Sequence, residues 1–212
     1  MKVQDLSFPD PRENLIYDDE LLLKADKAGG TEVLRFWESP RVFVVLGRTC
    51  DQGLNVHAAV CQQEGIPVLR RSSGGGTVVQ GPGCLNFSLV LAKAGHPDLE
   101  SITRSYEHIL KKTISALKVC GVDAQFRPVC DLVVPRGEKK FSGNAQRRGR
   151  NYMLHHGTIL YGFDLSLITR YLKLPPKMPD YRCCRTHHDF ITNVDLDIPR
   201  FKAALAGAWA AF

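Results

Sequence analysis

Between Gln125 and Tyr161 the chain carries four β-rich runs in quick succession, Gln125–Arg127, Asp131–Val134, Lys140–Ser142 and Tyr152–Tyr161, grouped around the turn signal Arg136-Gly137. Runs so close together are spaced for hairpins, whereas the flanking sequence keeps switching to helical periodicity. Asn14–Lys27 sets Leu15, Leu21, Leu22 and Ala25 at helical spacing with Asp18, Asp19 and Glu20 opposite, and Gly29-Gly30 ends it. Thr31–Trp37 and Arg41–Leu46 read as a strand pair across Ser39-Pro40, and a helix over Asn55–Glu64 stops at Gly65 and Pro67. Short strands follow at Val68–Arg70, Thr77–Val79 and Leu85–Leu91, then a long helix over Ser101–Val119. Leu165–Leu172 and Arg200–Ala211 are the closing helices. An order that mixes hairpins with helical crossovers specifies an α+β domain with a mixed β-sheet flanked by helices. No repeat or linker divides the chain, so residues 1–212 are expected to form a single domain.

Composition excludes some classes of function. The hydrophobic fraction of 44% and charged fraction of 24% suit a globular protein, and no apolar run has the length of a membrane span. The N-terminus lacks a basic start followed by an uninterrupted apolar core, so a cytoplasmic location is expected. Cys50, Cys61, Cys84, Cys120, Cys130, Cys183 and Cys184 are odd in number and contain no Cys-x-x-Cys pair, against a disulfide framework or structural zinc. Redox chemistry at the adjacent Cys183-Cys184 stays open. The net charge of +6 is concentrated around Lys139, Lys140, Arg147, Arg148 and Arg150, a solvated loop or a surface for an acidic partner. No aromatic residues interleave with those arginines, so nucleic acid and membrane are not expected partners.

The chemistry lies in two motifs. Lys140-Phe-Ser-Gly-Asn-Ala-Gln146 reads as a catalytic lysine delivered by a strand and followed by a small-residue turn. Arg70-Arg71-Ser-Ser-Gly74-Gly75-Gly76-Thr77 is an arginine pair running into three glycines. Without Cβ atoms the glycines let backbone N–H groups approach an anion closely, while guanidinium groups bind carboxylate or phosphate bidentately. The turn lacks the Gly-Lys-Ser/Thr of a phosphate-binding loop and the Gly-x-Gly-x-x-Gly that opens a dinucleotide-binding helix. Together the motifs suggest a site for two anions at once, a carboxylate and a nucleotide phosphate, as acyl adenylation requires.

Taken in order, Arg70-Arg71-Ser-Ser-Gly-Gly-Gly-Thr-Val, Gly83-Cys-Leu-Asn86-Phe-Ser, Asp131-Leu-Val-Val, Lys140-Phe-Ser-Gly-Asn-Ala-Gln and His155-His156-Gly-Thr-Ile-Leu resemble the motifs of the lipoate-protein ligases, over roughly Asn14 to Asn193. The resemblance implies the biotin/lipoate protein ligase catalytic-domain fold, related to class II aminoacyl-tRNA synthetases. It also implies ATP with Mg2+, lipoate (or octanoate) as substrate, and transfer of the acyl group to a lysine of a lipoyl-carrier domain, such as that of a 2-oxoacid dehydrogenase E2 or the glycine cleavage H protein. Lys140 is then the catalytic residue. Arg70 contacts the carboxyl or phosphate end, and Arg71 does the same or forms a sheet-face ion pair. Gly74, Gly75 and Gly76 pack on the acyl chain and carbonyl, with Ser73 beside them, and the backbone of Val78 and Val79 recognises adenine. Asp131 binds Mg2+ or orients Lys140. Asn86, Ser142, Gly143, Ala145, His156, Gly157 and Thr158 complete the expected lipoyl-AMP site; His155 and His156 face opposite sides of a strand, so one lines the pocket while the other packs.

The sequence departs from the family in three places. Gln80-Gly81 stands where many ligases carry His-Asp, Val129-Cys130 replaces a common Arg-Asn pair, and the chain stops at Phe212, where many bacterial ligases continue into an accessory domain. A separate chain supplying that domain is an open expectation. So are two other functions, a carrier-to-carrier acyltransferase using a cysteine thioester at Cys84 or Cys130, and a noncatalytic acyl-carrier binding subunit; biotin is a variant of the ligase reading. The charged and aromatic stretch Pro179 to Phe190, after the proline-broken segment Leu174–Pro179, wraps the rim of the site, docks the acceptor, or closes the fold.

Overall fold

The computed structural model describes residues 1–210. In chain order the strands are β1 (Lys2–Asp5), β2 (Val33–Trp37), β3 (Phe43–Leu46), β4 (Val68–Arg70), β5 (Val78–Gln80), β6 (Cys84–Ala92), β7 (Gln125–Arg127), β8 (Asp131–Val134), β9 (Lys139–Arg148) and β10 (Tyr152–Leu160). The helices are α1 (Pro11–Ala28), α2 (Gln52–Asn55), α3 (Ala58–Gln63), α4 (Ile102–Val119), α5 (Ser166–Tyr171), α6 (His187–Phe190) and α7 (Ile198–Ala210). Ala211, at the end of the last predicted helix, lies outside the described residues.

A seven-stranded sheet has the order β1-β2-β6-β10-β9-β8-β7. Only β1 and β2 pair in parallel there, so the sheet is mixed, as expected. The hairpin-spaced runs after α4 form its meander half. A second sheet of three strands, order β4-β3-β5, stands beside it. Here the predicted strand pair is corrected: β2 and β3 belong to different sheets. The chain turns at Ser39-Pro40, where the Ser39 hydroxyl donates to the Arg41 carbonyl at 2.8 Å, and β3 finds its partners in β4 and β5 instead. The single helix expected over Asn55–Glu64 is two short ones, α2 and α3, separated where Val56 forms a β-bridge with Leu172. β1 carries one apolar residue in four and gave no sequence signal.

One face of the large sheet is covered by α4 and α7. Leu34, Phe36, Phe87, Leu89, Leu132, Phe141 and Ile159 from the strands meet Ile109, Leu110, Leu117, Phe201 and Leu205 from the helices, all buried. Burial of side chains this size contributes about 1.5–3 kcal/mol each. The opposite face is only half covered. α1 packs Leu22 and Ala25 on Val33, Val90, Tyr152 and Leu154 at one end, which leaves the other end open toward the small sheet. The acidic side expected for α1 does not face solvent as a block. Asp18 is buried and ion-paired to Arg35 at 2.7 Å, with the Ser88 hydroxyl donating to it at 2.6 Å. Burial raises its pKa, opposed by Arg35. Among the described residues no helix is long and apolar enough to cross a membrane.

Candidate active site

The open end of the large sheet presents a ladder of side chains chosen by strand parity. Paired residues share a face. Trp37 pairs with Asn86, Asn86 with Thr158, Thr158 with Gly143 and Gly143 with Asp131, so these positions line one row across five strands. Strict alternation along β9 would put Lys140 on the far side, three residues from Gly143. A β-bulge prevents that. The register shifts between Leu132 and Val133, so Val133 pairs with Lys140 while Leu132 pairs with Ser142, and Phe141 is the extra residue. The bulge sends Phe141 into the core and returns Lys140 to the face of Asp131 and Gly143.

The result is an ion pair, Lys140 Nζ to Asp131 Oδ1 at 2.7 Å, with the lysine side chain 27% exposed and the aspartate 9%. Gly143 makes room for it: a methyl group there would come within 2.9 Å of Lys140 Nζ. The small residues after Lys140 therefore form not the expected turn but continuous strand to Arg148, their smallness clearing space for the lysine.

Two adjoining cavities meet at this pair and share Gly75, Gly76, Thr77, Val78, Gln80 and Thr158 as walls. The smaller, about 150 Å³, is lined by Leu15, Trp37, Val45 and Ala145, with Arg71, Asn86 and His156 as polar groups. The larger, about 410 Å³, adds Val79, Phe141, Ser142, Leu160 and Ile168 from the body of the domain. Its outer wall is the segment 172–191, including Lys173, Lys177, Met178, Arg182 and Phe190. Among the described residues Asp131 is the only carboxylate in either lining.

The glycine turn connects β4 to β5 across the small sheet. Arg71 holds it in shape, donating to the carbonyls of Gly74 at 2.7 Å and Gly76 at 2.8 Å and to the Ser73 hydroxyl at 3.0 Å. Among the described residues it has no carboxylate partner for the expected sheet-face ion pair. Ser73 Oγ lies 2.7 Å from His156 Nε2. Half-buried at the cavity wall, His156 has its pKa lowered to about 3, by desolvation first and then by Arg71 and His155, which keeps it a neutral hydrogen-bonding group. His155 packs on the other face beside Phe87 and Tyr106, fully buried, as strand alternation requires. Gln80, Asn86 and Thr158 close a ring: Gln80 Nε2 donates to Thr158 Oγ1 at 2.7 Å, Thr158 donates to Asn86 Oδ1 at 2.8 Å, and Asn86 Nδ2 donates to Gln80 Oε1 at 3.1 Å. The departure at Gln80 thus carries its own hydrogen-bonding partners.

Residues 10–208 match the family described as Lipoyl protein ligase A/B catalytic domain. The chain belongs to that family. It is 31% identical over 176 residues to a probable lipoate-protein ligase A of Mycoplasma pneumoniae, covering 82% of this chain and 50% of the relative. The chain thus spans about half the length of that curated relative. A bipartite lipoate protein ligase of Thermoplasma acidophilum, described with its E2 lipoyl domain, superposes with TM-score 0.85 at 26% identity over 99% of this chain and 82% of that one. A lipoate-protein ligase A bound with ATP shares the fold, with TM-score 0.83 at 24% identity over 99% and 83% of the two chains.

Most of the expected site residues line the two cavities; Arg70, Ser73 and Gly74 line neither. Arg70 points away, its guanidinium donating to the carbonyls of Gly47, Arg48 and Cys50 at 2.8–3.1 Å, so it fastens the loop after β3 and lines neither cavity. Gly74 is an acceptor for Arg71 rather than a wall. Gly157 contributes only backbone, because a Cβ there would strike Phe87 and Asn144 on the core side. The Ser142 hydroxyl turns to Asn144 at 3.3 Å. The basic cluster is also divided: Arg147 pairs with Asp19 at 3.0 Å on one face, while Arg148 donates to the carbonyls of Leu99 and Glu100 on the other. Cys84 is fully buried in the core beside the small sheet and lines neither cavity, and burial pushes its thiol up. Cys130 borders both cavities, yet burial and Asp131 raise its thiol too. The sequence reading did not single out Trp37 or Gln80 as site residues, and it offered Tyr181 and Arg182 only as part of a stretch that wraps the rim, docks the acceptor or closes the fold. Tyr181 donates to Asp131 Oδ2 at 2.6 Å.

Proposed function

We propose that residues 1–212 form a single catalytic domain that activates lipoate, or the related octanoate, with ATP and passes the acyl group to a lysine of a lipoyl-carrier domain. The observation that carries this reading is one lysine held at the junction of two unlike cavities. The smaller lobe, walled by Leu15, Trp37, Val45 and Ala145, fits an acyl chain. The larger, with Lys173, Lys177 and Arg182 on its wall and the backbone of Val78 and Val79 at its edge, fits a nucleotide.

In this reading the acid's carboxylate oxygen attacks the α-phosphorus of ATP, a P–O bond forms and pyrophosphate leaves. Lys140 draws the carboxylate and α-phosphate together and offsets the charge that accumulates between them. The acceptor amine then attacks the acyl carbonyl; the amide forms, the amine loses its proton, and AMP departs with the C–O electron pair. His156, held by the Ser73 hydroxyl behind it, and the Gly75-Gly76 turn line the acyl side, and Asn86, Thr158, Gly143 and Ala145 lie along the floor.

Among the described residues no three metal-binding side chains cluster, so the donor set suits a magnesium ion carried chiefly by the nucleotide's phosphates, with Asp131 as the single protein carboxylate. Such an ion would supply charge neutralisation on the phosphates. Both Asp131 oxygens already receive donors, which favours its role in orienting Lys140. The bipartite Thermoplasma relative supports a lipoyl domain as acceptor and leaves room for a separate accessory chain.

The test mixes purified protein with ATP, Mg2+ and lipoate and follows pyrophosphate release and lipoyl-AMP by mass spectrometry. Both are expected. Absence of nucleotide consumption, together with carrier-to-carrier acyl transfer that disappears in Cys130→Ser, would replace the ligase with the thioester transferase.

A further inference from the structure

Tyr181 reaches the site from outside both sheets. It lies in the single helical turn Asp180–Arg182, within the segment that walls the larger cavity. Its hydroxyl and the Lys140 ammonium take one oxygen each of the Asp131 carboxylate, at 2.6 and 2.7 Å. Burial, followed by the negative charge of Asp131, pushes the phenol's pKa up, so the group remains a donor.

The turn has anchors that do not depend on that hydroxyl. The Tyr181 ring packs on Phe190 with centroids 5.4 Å apart, and Arg185 donates to the carbonyls of Tyr181 at 2.9 Å and Gly137 at 2.8 Å. The Thr192 N–H donates to the Lys140 carbonyl at 3.0 Å, tying the end of the segment to β9. Removing the hydroxyl alone therefore leaves the segment in place and takes away one contact. That contact matters because a carboxylate paired with a flexible ammonium alone can swing about its Cβ–Cγ bond. A second donor on the other oxygen fixes its plane.

We infer that Tyr181 is a positioning residue, which locks the Asp131 carboxylate so that Asp131 in turn aims the Lys140 ammonium at the junction of the two cavities. Seating of the 172–191 segment and alignment of the lysine are then one event. The inference rests on the ligase reading for its kinetic consequence, but its geometric content is independent of it.

Two measurements test it on the full chain. In single-turnover adenylate formation, Tyr181→Phe lowers the rate roughly 10- to 100-fold while KM for the carboxylic acid stays within about threefold, the pattern of a misaligned group rather than a lost binding contact. Because the effect runs through Asp131, Asp131→Asn with Tyr181→Phe is no slower than Asp131→Asn alone. In protein labelled with 15N-lysine, the Lys140 ammonium signal, sharp when its hydrogens are held, broadens in Tyr181→Phe. A Tyr181→Phe rate within twofold of wild type, or a rate loss that multiplies fully on top of Asp131→Asn, overturns the assignment. If the wild type releases no pyrophosphate, the ligase reading falls, and the ammonium signal alone decides the matter; no change in it refutes the positioning role.

Discussion

The two faces of β9 and β10 share a backbone and divide the work. On one face the side chains of Phe141, His155 and Asn144 are buried on the core side; on the other Lys140, Gly143, Ala145, His156 and Thr158 look into the cavities. Neighbouring residues therefore have opposite duties, and the bulge at Phe141 is where the duties change hands. Chemistry and stability should separate one residue apart.

Lys140→Ala is expected to lower adenylate formation by about 10³-fold or more, on the order of removing a principal transition-state stabiliser, with unfolding free energy within about 1 kcal/mol of wild type. Pyrophosphate release and a denaturant melt measure both; near-normal turnover removes Lys140 from its role. Phe141→Ala should do the reverse, losing about 3–5 kcal/mol of stability through a core cavity. A loss below 1 kcal/mol would mean the bulge does not drive this side chain into the core. His155, buried and neutral, has its pKa lowered to about 3 by desolvation. Above pH ~6.5 neither state protonates it and the contribution is flat; below, the unfolded chain binds a proton that the folded chain refuses, so stability falls about 1.4 kcal/mol per unit, or about 2 kcal/mol by pH 5. Equal pH slopes in wild type and His155→Gln melts would contradict this. The smallest effect is on the open face: Ala145→Leu narrows the small lobe and raises KM for lipoate about tenfold with KM for ATP unchanged, in line with ~1–3 kcal/mol for an overfilled site. An equal rise in both constants would show that the lobes are not divided between the two substrates.

How far the sequence could be read follows the same division. The Asp131, Asn86 and His156-Gly-Thr motifs lie on regular strands, where alternation assigns faces without a structure, whereas Lys140 was legible only from its motif, since alternation along β9 would have put it on the far side. The helix over Ser101–Val119 and the glycine-rich turn were legible for local reasons, periodicity and missing Cβ atoms. Arg70 was not, because whether a guanidinium meets a ligand or a neighbouring loop's carbonyls depends on where the loop after β3 folds back. Neither was the bulge, since one extra residue in a ladder leaves no mark on composition. Tyr181 and Arg182 follow a proline-broken stretch without periodicity, so a rim role was legible for the segment but no contact for either side chain, and the split of β2 and β3 between sheets depends on long-range pairing that no local pattern encodes.

Gly47 shows how such loops can nevertheless be traced in other sequences. A Cβ at that position would lie 2.0 Å from the carbonyl oxygen of Gly75, so the loop after β3 rests on the glycine turn only because a hydrogen atom stands where every other residue has carbon. A side chain at the equivalent position in a related protein thus reports, from one letter, that its substrate loop follows a different path.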